Sequence, residues 1–161
     1  MENKTDKLDK EEVLKTVKTV IGFMNIDCQI ETKEERTDNV GEKAVSVSIQ
    51  TPDSARFLIG KNGQNLKALE HILRMMLVKE GSRNTVVLDV NDYRKSRAAY
   101  IIDVAKQAVM RVRNSQKAEA LFPMSAYERR IIHMELAAYP DVITESIGSD
   151  TQRRIVIKPY L

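Results

Sequence analysis

The residues Ile-Gly-Lys-Asn-Gly at positions 59–63 are of types that together can hold a phosphate group. Glycine has no Cβ, so a Gly-x-x-Gly turn lets another backbone approach very closely. The turn stands directly before a helical pattern, and the first N–H groups of a helix are unpaired and attract anions. Lys61 adds a positive charge at the tip of the turn. These features predict a place where a sugar-phosphate backbone can lie.

Two other phosphate-binding motifs do not fit these residues. A P-loop requires Ser or Thr after its Gly-Lys, whereas Asn62 follows Lys61, and the dinucleotide fingerprint requires a third glycine where Leu66 stands. An ordinary loop or helix-capping turn remains open, because Gly-x-x-Gly also arises by chance. The KH module, which clamps about four nucleotides with such a loop, is favoured by the pattern of the elements around it.

Composition restricts the class of protein. The chain has 161 residues, enough for one ordinary domain or two small ones. With 42% hydrophobic and 30% charged residues, it has the profile of a globular protein. No apolar run approaches the roughly 20 residues of a membrane helix, and the charged N-terminus does not resemble a signal peptide. We therefore expect a cytoplasmic protein without membrane insertion. Cys28 is the only cysteine, which excludes an intrachain disulfide and a cysteine zinc site.

Positive charge is concentrated in the second half of the chain. Residues 1–90 hold 14 Lys and Arg against 15 Asp and Glu, whereas residues 91–161 hold 12 against 8. The net charges are therefore −1 and +4, within a total of +3. This is a mild footprint of phosphate contact, although a solvated basic face would have the same composition.

Hydrophobic periodicity predicts a charged tail at 1–10 and a first domain at 11–90. The spacing of apolar residues favours the order helix, strand, strand, helix, helix, strand. The predicted elements are a helix at 11–24, strands at 25–31 and 45–50 joined by a polar turn at Gly41, a short turn at 53–58, a helix from the glycine loop to about Glu80 with Gly81 as its stop, and a strand at 86–90. This is the order of the bacterial-type KH fold, and the glycine loop falls between its two middle helices.

A second unit is predicted at 91–161. A long helix at 91–115 carries one apolar stripe, and Asp89 or Asp92 is expected to cap it. Ser125 and Glu128 form a capping box that opens a helix at 126–138. A short strand before this helix and two strands after it, at 142–145 and 154–158, complete the unit.

Arg129 and His133 stand four residues apart, so they lie on one face of the helix at 126–138. Such a pair suits a phosphate, and one of Arg153 and Arg154 could extend the same basic surface. Arg130 is adjacent in sequence but points elsewhere. On spacing alone, a solvated helix face is the more common explanation of Arg-x-x-x-His.

Three segments in the right order resemble one bacterial family. Residues 123–133 (Pro-Met-Ser-Ala-Tyr-Glu-Arg-Arg-Ile-Ile-His) resemble the signature of the R-x-x-x-H domain, and residues 59–70 resemble a KH loop with its helix. Residues 88–94 resemble the junction between these modules, and 153–159 the end of the family's chains. Over roughly residues 10–160 the chain is similar to the Jag family, also called SpoIIIJ-associated proteins. Many members carry a further N-terminal domain, which we expect to be lacking here.

The resemblance implies a type II KH domain followed by a small α/β R-x-x-x-H domain, an α+β protein that binds single-stranded RNA. Single-stranded DNA remains an alternative. It further implies RNA chaperone-like work, control of cell elongation and, for some members, pairing with a second small KH protein. The RNA-binding residues would be Gly60, Lys61, Asn62, Gly63 and Lys67 in the KH unit, and Arg129, His133, Arg130, Arg153 and Arg154 in the second unit.

Two other classes of function compete with RNA binding. An enzyme is weakly supported, because the residues mark no metal site and His71, among helical apolar residues, is expected to be structural. We therefore expect no catalysis, metal or cofactor. A protein-interaction adaptor is the alternative, although the intact glycines and Lys61 argue against a degenerate loop. Met75, Met76 and Val78 could form core or a partner face, and core is the more common outcome. Since there is no tryptophan and aromatic residues make up 5%, wide base-stacking platforms are not expected.

Overall fold

The computed structural model describes residues 10–36, 43–77 and 85–160. The chain divides into two compact units, Met1–Tyr93 and Arg94–Leu161, called here the N-terminal unit and the C-terminal unit. Each unit has its own three-stranded sheet and its own buried apolar core. Because helices and sheet occur together in both units, the predicted α+β class is confirmed.

The N-terminal unit has the predicted order of elements. Its sheet places β2 in the centre, with β1 antiparallel and β3 parallel to it. A parallel pair needs a crossover connection, and the chain between β2 and β3 contains the two middle helices. The elements are α1 (Lys10–Phe23), β1 (Gln29–Arg36), β2 (Lys43–Gln50), α2 (Ala55–Ile59), α3 (Gln64–Leu77) and β3 (Thr85–Val90). The first strand thus lies further along the chain than the predicted 25–31.

The core of this unit follows from two periodicities. Val45, Val47 and Ile49 alternate along β2 and are buried, because every second residue of a strand faces the same side. The leucines of α3 recur every three or four residues, so they form one stripe along the helix. The helical residues buried in this core are Val13, Val17 and Ile21 of α1, Leu58 of α2, and Leu66, Leu69, Leu73 and Leu77 of α3.

The expectation that Met75 and Met76 belong to the core is wrong, since they are 66% and 55% exposed. His71 is also exposed, so it does not fill the buried structural position expected of it. Met75 and His71 each follow a core leucine by two residues, a little over half a helical turn, which turns them away from the stripe. The predictions for Gly41, Val78, Glu80 and Gly81 lie outside the described residues.

The C-terminal unit also has its elements in the predicted order. They are α4 (Tyr93–Ser115), β4 (Glu119–Ala120), α5 (Ala126–Leu136), β5 (Val142–Ile147) and β6 (Arg154–Pro159). The central strand β6 pairs antiparallel with β4 and β5. Helix α4 begins two residues later than predicted because Asn91 and Asp92 have positive φ angles of 49° and 55°. Asp92 directly precedes α4, whereas Asp89 lies within β3.

The register of β5 against β6 places two hydroxyl side chains beside the core. Ile157 and Ile155 are buried on β6, and their partners on β5 are Thr144 and Ser146. Directly opposed side chains of an antiparallel pair lie on the same face of the sheet. Thr144 and Ser146 therefore lie on the core-facing side of an edge strand. The helical residues buried in this core include Ile101, Ala105, Ala108 and Val112 of α4, and Ile132 and Leu136 of α5.

Candidate nucleic-acid interface

The loop between α2 and α3 is a tight left-handed turn. Gly60 ends α2, residues 61–63 form a single 3-10 turn, and α3 starts at Gln64. Gly60, Asn62 and Gly63 have φ angles of 68°, 54° and 77°. Side chains with a Cβ rarely adopt this region, and Asn tolerates it better than most residues. The backbone of the loop therefore requires glycine at 60 and 63 and favours asparagine at 62.

Both glycines face other parts of the N-terminal unit. A Cβ on Gly60 would lie 2.5 Å from the Asn65 side chain, whose amide donates a 2.8 Å hydrogen bond to the Phe57 carbonyl. A Cβ on Gly63 would lie 2.9 Å from the Tyr93 ring. The glycines thus permit close packing within the protein, in addition to the close approach of a ligand backbone that the sequence suggested.

Lys61, Asn62 and Lys67 are exposed, as a phosphate-binding loop requires. No acidic residue occurs between Asp53 and Glu70, whereas Arg56, Lys61 and Lys67 all lie in that interval. The loop also precedes a 14-residue helix, and the N-terminal end of a helix carries partial positive charge. The local field at the loop therefore attracts anions, although the N-terminal half of the chain has no net positive charge.

The capping box at the start of α5 is present as predicted. The Ser125 hydroxyl accepts a hydrogen bond from the Glu128 N–H at 3.3 Å, and the Glu128 carboxylate accepts one from the Ser125 N–H at 2.7 Å. This arrangement satisfies two of the otherwise unpaired N–H groups at the helix start. It fixes where α5 begins, and so the direction in which the following Arg129 and His133 project.

Arg129 and His133 are held by different parts of the C-terminal unit. One terminal nitrogen of Arg129 donates to the Met124 carbonyl at 2.9 Å, and the Met124 N–H donates to the Arg153 carbonyl at 3.1 Å. Nδ1 of His133 lies 2.6 Å from the Thr144 hydroxyl, a hydrogen bond between α5 and the edge strand β5. The imidazole is nevertheless exposed, so it remains accessible to a ligand.

The structure distinguishes Arg153 from Arg154. Nε of Arg153 donates to the Ser146 hydroxyl at 3.1 Å, which places it along the same edge strand as Thr144. Arg154 instead donates to the carbonyl and side-chain oxygens of Gln152, and its register partner is Ile147. Arg153 therefore shares a face with the residues around His133, whereas Arg154 lies on the opposite face of the sheet. Arg130 is exposed and lies about a quarter turn from Arg129 along α5.

Thr144 and Ser146 were missed as site residues in the sequence. Their signal was the alternation of Val142, Thr144 and Ser146, which predicts that all three face the same side of the sheet as the core. We call the exposed group formed by Arg129, His133, Thr144, Ser146 and Arg153 the edge cluster. It offers cationic and hydroxyl groups and contains no carboxylate, which is a composition suited to a phosphate.

Arg97 was also missed, apart from its place among the basic residues of α4. Its Nε lies 2.8 Å from Oε1 of Glu128, and both side chains are largely buried, with 15% and 11% exposed. Burial would raise the pKa of Glu128, but the hydrogen bonds from Arg97 and Ser125 outweigh it and hold the pKa below the ordinary value. Glu128 is thus a buried carboxylate that stays ionised and links α4 to the start of α5.

Neither a metal centre nor a membrane span occurs in the part of the chain that the structure describes. Within residues 10–36, 43–77 and 85–160, no three His, Cys, Asp or Glu side chains come together as a metal site would need. In the same ranges, no helix is both long and apolar enough to cross a membrane.

The chain is similar to known RNA-binding proteins over most of its length. Residues 99–159, which contain Arg129, His133 and Arg153, match the R-x-x-x-H domain. A protein of Clostridium symbiosum named RNA-binding protein KhpB is 30% identical over 149 residues, which cover 92% of this chain and 65% of the relative. Proteins of the same name from Bacillus subtilis and Lactiplantibacillus plantarum are 34% and 39% identical, over 78% and 62% of this chain and 61% and 31% of the relatives. The chain thus spans less than two thirds of each relative.

The packing of Gly63 predicts a stability effect. Gly63→Ala should lower the free energy of unfolding by about 1–3 kcal/mol, because it places a Cβ at positive φ against the Tyr93 ring. Gly22→Ala is the matched control, since a Cβ there meets nothing within 4 Å at the end of α1. It should leave stability unchanged or slightly raised. Denaturant unfolding followed by circular dichroism measures both, and equal losses would contradict the packing assigned to Gly63.

The lowered pKa of Glu128 predicts a pH dependence. Stability from this carboxylate is fully present above its unfolded pKa of about 4.3 and is lost as pH falls through the lower folded value. Glu128→Gln should cost about 3 kcal/mol near neutral pH, because it weakens a buried pair with Arg97, and should reduce the loss of stability on acidification. Glu135→Gln, in a more exposed pair with Lys106, should change neither. An unaltered acid profile in Glu128→Gln would show that another group governs it.

Proposed function

The chain belongs to the Jag family, which includes the KhpB proteins, and on this basis we propose that it binds single-stranded RNA through two sites and catalyses no reaction. The observation that carries the proposal is the edge cluster, which lies inside the segment that matches the R-x-x-x-H domain. The names of the relatives support RNA as the ligand.

In this proposal the N-terminal unit acts as a type II KH domain at 11–90. Its loop lays the exposed Lys61 and Asn62 against the sugar-phosphate backbone, and Lys67 adds a charge from the first turn of α3. The element order, the parallel pairing of β2 with β3 and the place of the loop between α2 and α3 support this role. Gly60 and Gly63 contribute the shape of the turn.

The C-terminal unit, at 91–161, supplies the second site. Arg129, His133 and Arg153 contact phosphate, while Thr144 and Ser146 orient the last two through their hydroxyl groups. Arg130 and Arg154 contribute longer-range attraction from neighbouring surfaces. Since phosphate contacts carry no sequence information directly, binding is salt-dependent and modest in sequence specificity.

The cellular role rests on the family resemblance. We propose a cytoplasmic, RNA chaperone-like regulator connected with cell elongation, with a second small KH protein as a partner. One observation favours the alternative of a protein-interaction adaptor: Ile72, Met75 and Met76 on α3 are each at least half exposed, as is Phe57 on α2. Exposed apolar residues grouped on neighbouring elements are typical of partner surfaces.

The loop site predicts a charge-reversal effect on binding. Lys61→Asp/Asn62→Asp should weaken binding of labelled single-stranded RNA by about tenfold or more, because two carboxylates then repel the phosphates. Both glycines stay, so the turn is retained. Lys18→Glu/Thr19→Glu, two exposed residues of α1, lowers the net charge by the same amount and should have a much smaller effect. Fluorescence anisotropy of the intact chain measures both. Equal losses would refute a localised loop site, and no binding by the unaltered protein would favour the adaptor.

The edge cluster predicts a difference between adjacent arginines. Arg153→Ala should weaken RNA binding and reduce its salt dependence by about one phosphate contact, because Arg153 lies with His133 beside β5. Arg154→Ala removes the same charge from the opposite face and should weaken binding less. Anisotropy titrations at several salt concentrations separate the two, and a larger loss for Arg154→Ala would place the phosphate site on the other face of the sheet.

A further inference from the structure

Two aromatic rings of the C-terminal unit are stacked on each other beside a buried guanidinium. The rings of Tyr100 on α4 and Phe122 after β4 have centroids 6.4 Å apart and planes inclined by 26°. The central carbon of the Arg97 guanidinium lies 5.6 Å from the Tyr100 centroid and 5.3 Å from the Phe122 centroid. Both distances are within the range of cation–π attraction. We call Tyr100, Phe122 and Arg97 the aromatic triad.

Arg97 is held in place and completes its contacts on the rings. Its Nε is fixed by Glu128, while one of its terminal nitrogens is buried with no hydrogen-bond partner among the described residues. A buried N–H group without an acceptor is costly, and the negative faces of the two rings partly replace the missing acceptor. The guanidinium thus orders Tyr100 and Phe122, and it is itself ordered by the carboxylate that caps α5.

Tyr100 remains accessible in spite of these contacts. It is 53% exposed, although its ring stacks on Phe122 and lies beside Arg97. An ordinary surface tyrosine loses side-chain freedom when a ligand stacks on it, which opposes binding. Tyr100 is already restrained by the other two members of the triad, so stacking on it costs little further entropy.

The triad lies next to the edge cluster along the chain. Phe122 is two residues before Met124, whose carbonyl accepts the hydrogen bond from Arg129. Two residues of extended chain span at most about 7 Å, and Arg97 contacts Glu128, the residue directly before Arg129. A nucleotide whose phosphate lies at Arg129 therefore has the triad within reach of a neighbouring base.

We propose that the aromatic triad is a stacking site for one unpaired nucleobase of the strand whose phosphates bind at the edge cluster. This inference rests on the proposed function and adds a contact with the base to a site otherwise made of phosphate contacts. Every base has a π face, so the triad favours unpaired bases without selecting a sequence. It is a single two-ring site, in agreement with the low aromatic content that argued against a wide platform.

The test compares an oligoadenylate with an abasic strand of the same length, both single-stranded and fluorescently labelled. The intact chain is measured beside Tyr100→Leu, Tyr100→Phe and the control Tyr127→Leu, which alters another exposed tyrosine of the same unit. Tyr100→Leu should bind oligoadenylate about five- to tenfold more weakly, the lower part of the range for base stacking, and bind the abasic strand as before. Tyr100→Phe keeps the ring and should bind both strands normally, as should Tyr127→Leu.

Other results would overturn the inference. Unchanged binding of oligoadenylate by Tyr100→Leu, or an equal loss for both strands, would show that no base stacks on Tyr100, while the phosphate sites of the proposed function would still stand. A loss confined to Tyr127→Leu would move the stacking site to α5. If the unaltered protein bound neither strand, the proposed function itself would fail. Thermal unfolding of each variant shows whether a loss of binding reflects a loss of folding.

Discussion

The carboxylate of Glu128 is buried, and its two oxygens serve two parts of the C-terminal unit at once. One accepts from Arg97 of α4, and the other accepts from the N–H of Ser125 at the start of α5. An ionised buried carboxylate is tolerated only when it is paired and hydrogen-bonded, so α4 and α5 must meet in one arrangement. That arrangement directs Arg129 and His133 towards β5 and restrains the rings beside Arg97. What this unit can offer to a strand therefore depends on one internal ion pair.

The constraint in the N-terminal unit is steric. The turn at residues 60–63 is left-handed at three positions, and the Cβ positions of its glycines are occupied by Asn65 and Tyr93. The backbone is thereby fixed, and only Lys61 and Asn62 extend from the tip into solvent. The glycines alone are weak evidence for a ligand, because internal packing accounts for them. The stronger evidence is the absence of acidic residues between Asp53 and Glu70, which leaves the exposed cations of the loop uncompensated nearby.

Local patterns in the sequence predicted what local physics determines. The alternation in β2, the leucine stripe of α3 and the capping box of α5 gave the order of elements and the pair formed by Arg129 and His133. The errors arose where a residue lies off a stripe, as with the exposed Met75, or where partners are distant in sequence. Arg97 meets Glu128 across 31 positions, and Arg153 meets Ser146 only through the register of a hairpin. No short-range periodicity encodes such contacts, so the sequence could not separate Arg153 from Arg154.

The central claim is that a single-stranded RNA is held at two defined places, one in each unit. The most direct measurement is a titration of the isotope-labelled intact chain with single-stranded RNA, followed by the chemical shifts of its backbone amides. The account predicts saturable changes that centre on residues 60–63 in the N-terminal unit and on His133, Thr144 and Ser146 in the C-terminal unit. Changes confined to one unit, or centred on the exposed side of α3 around Met75, would contradict it.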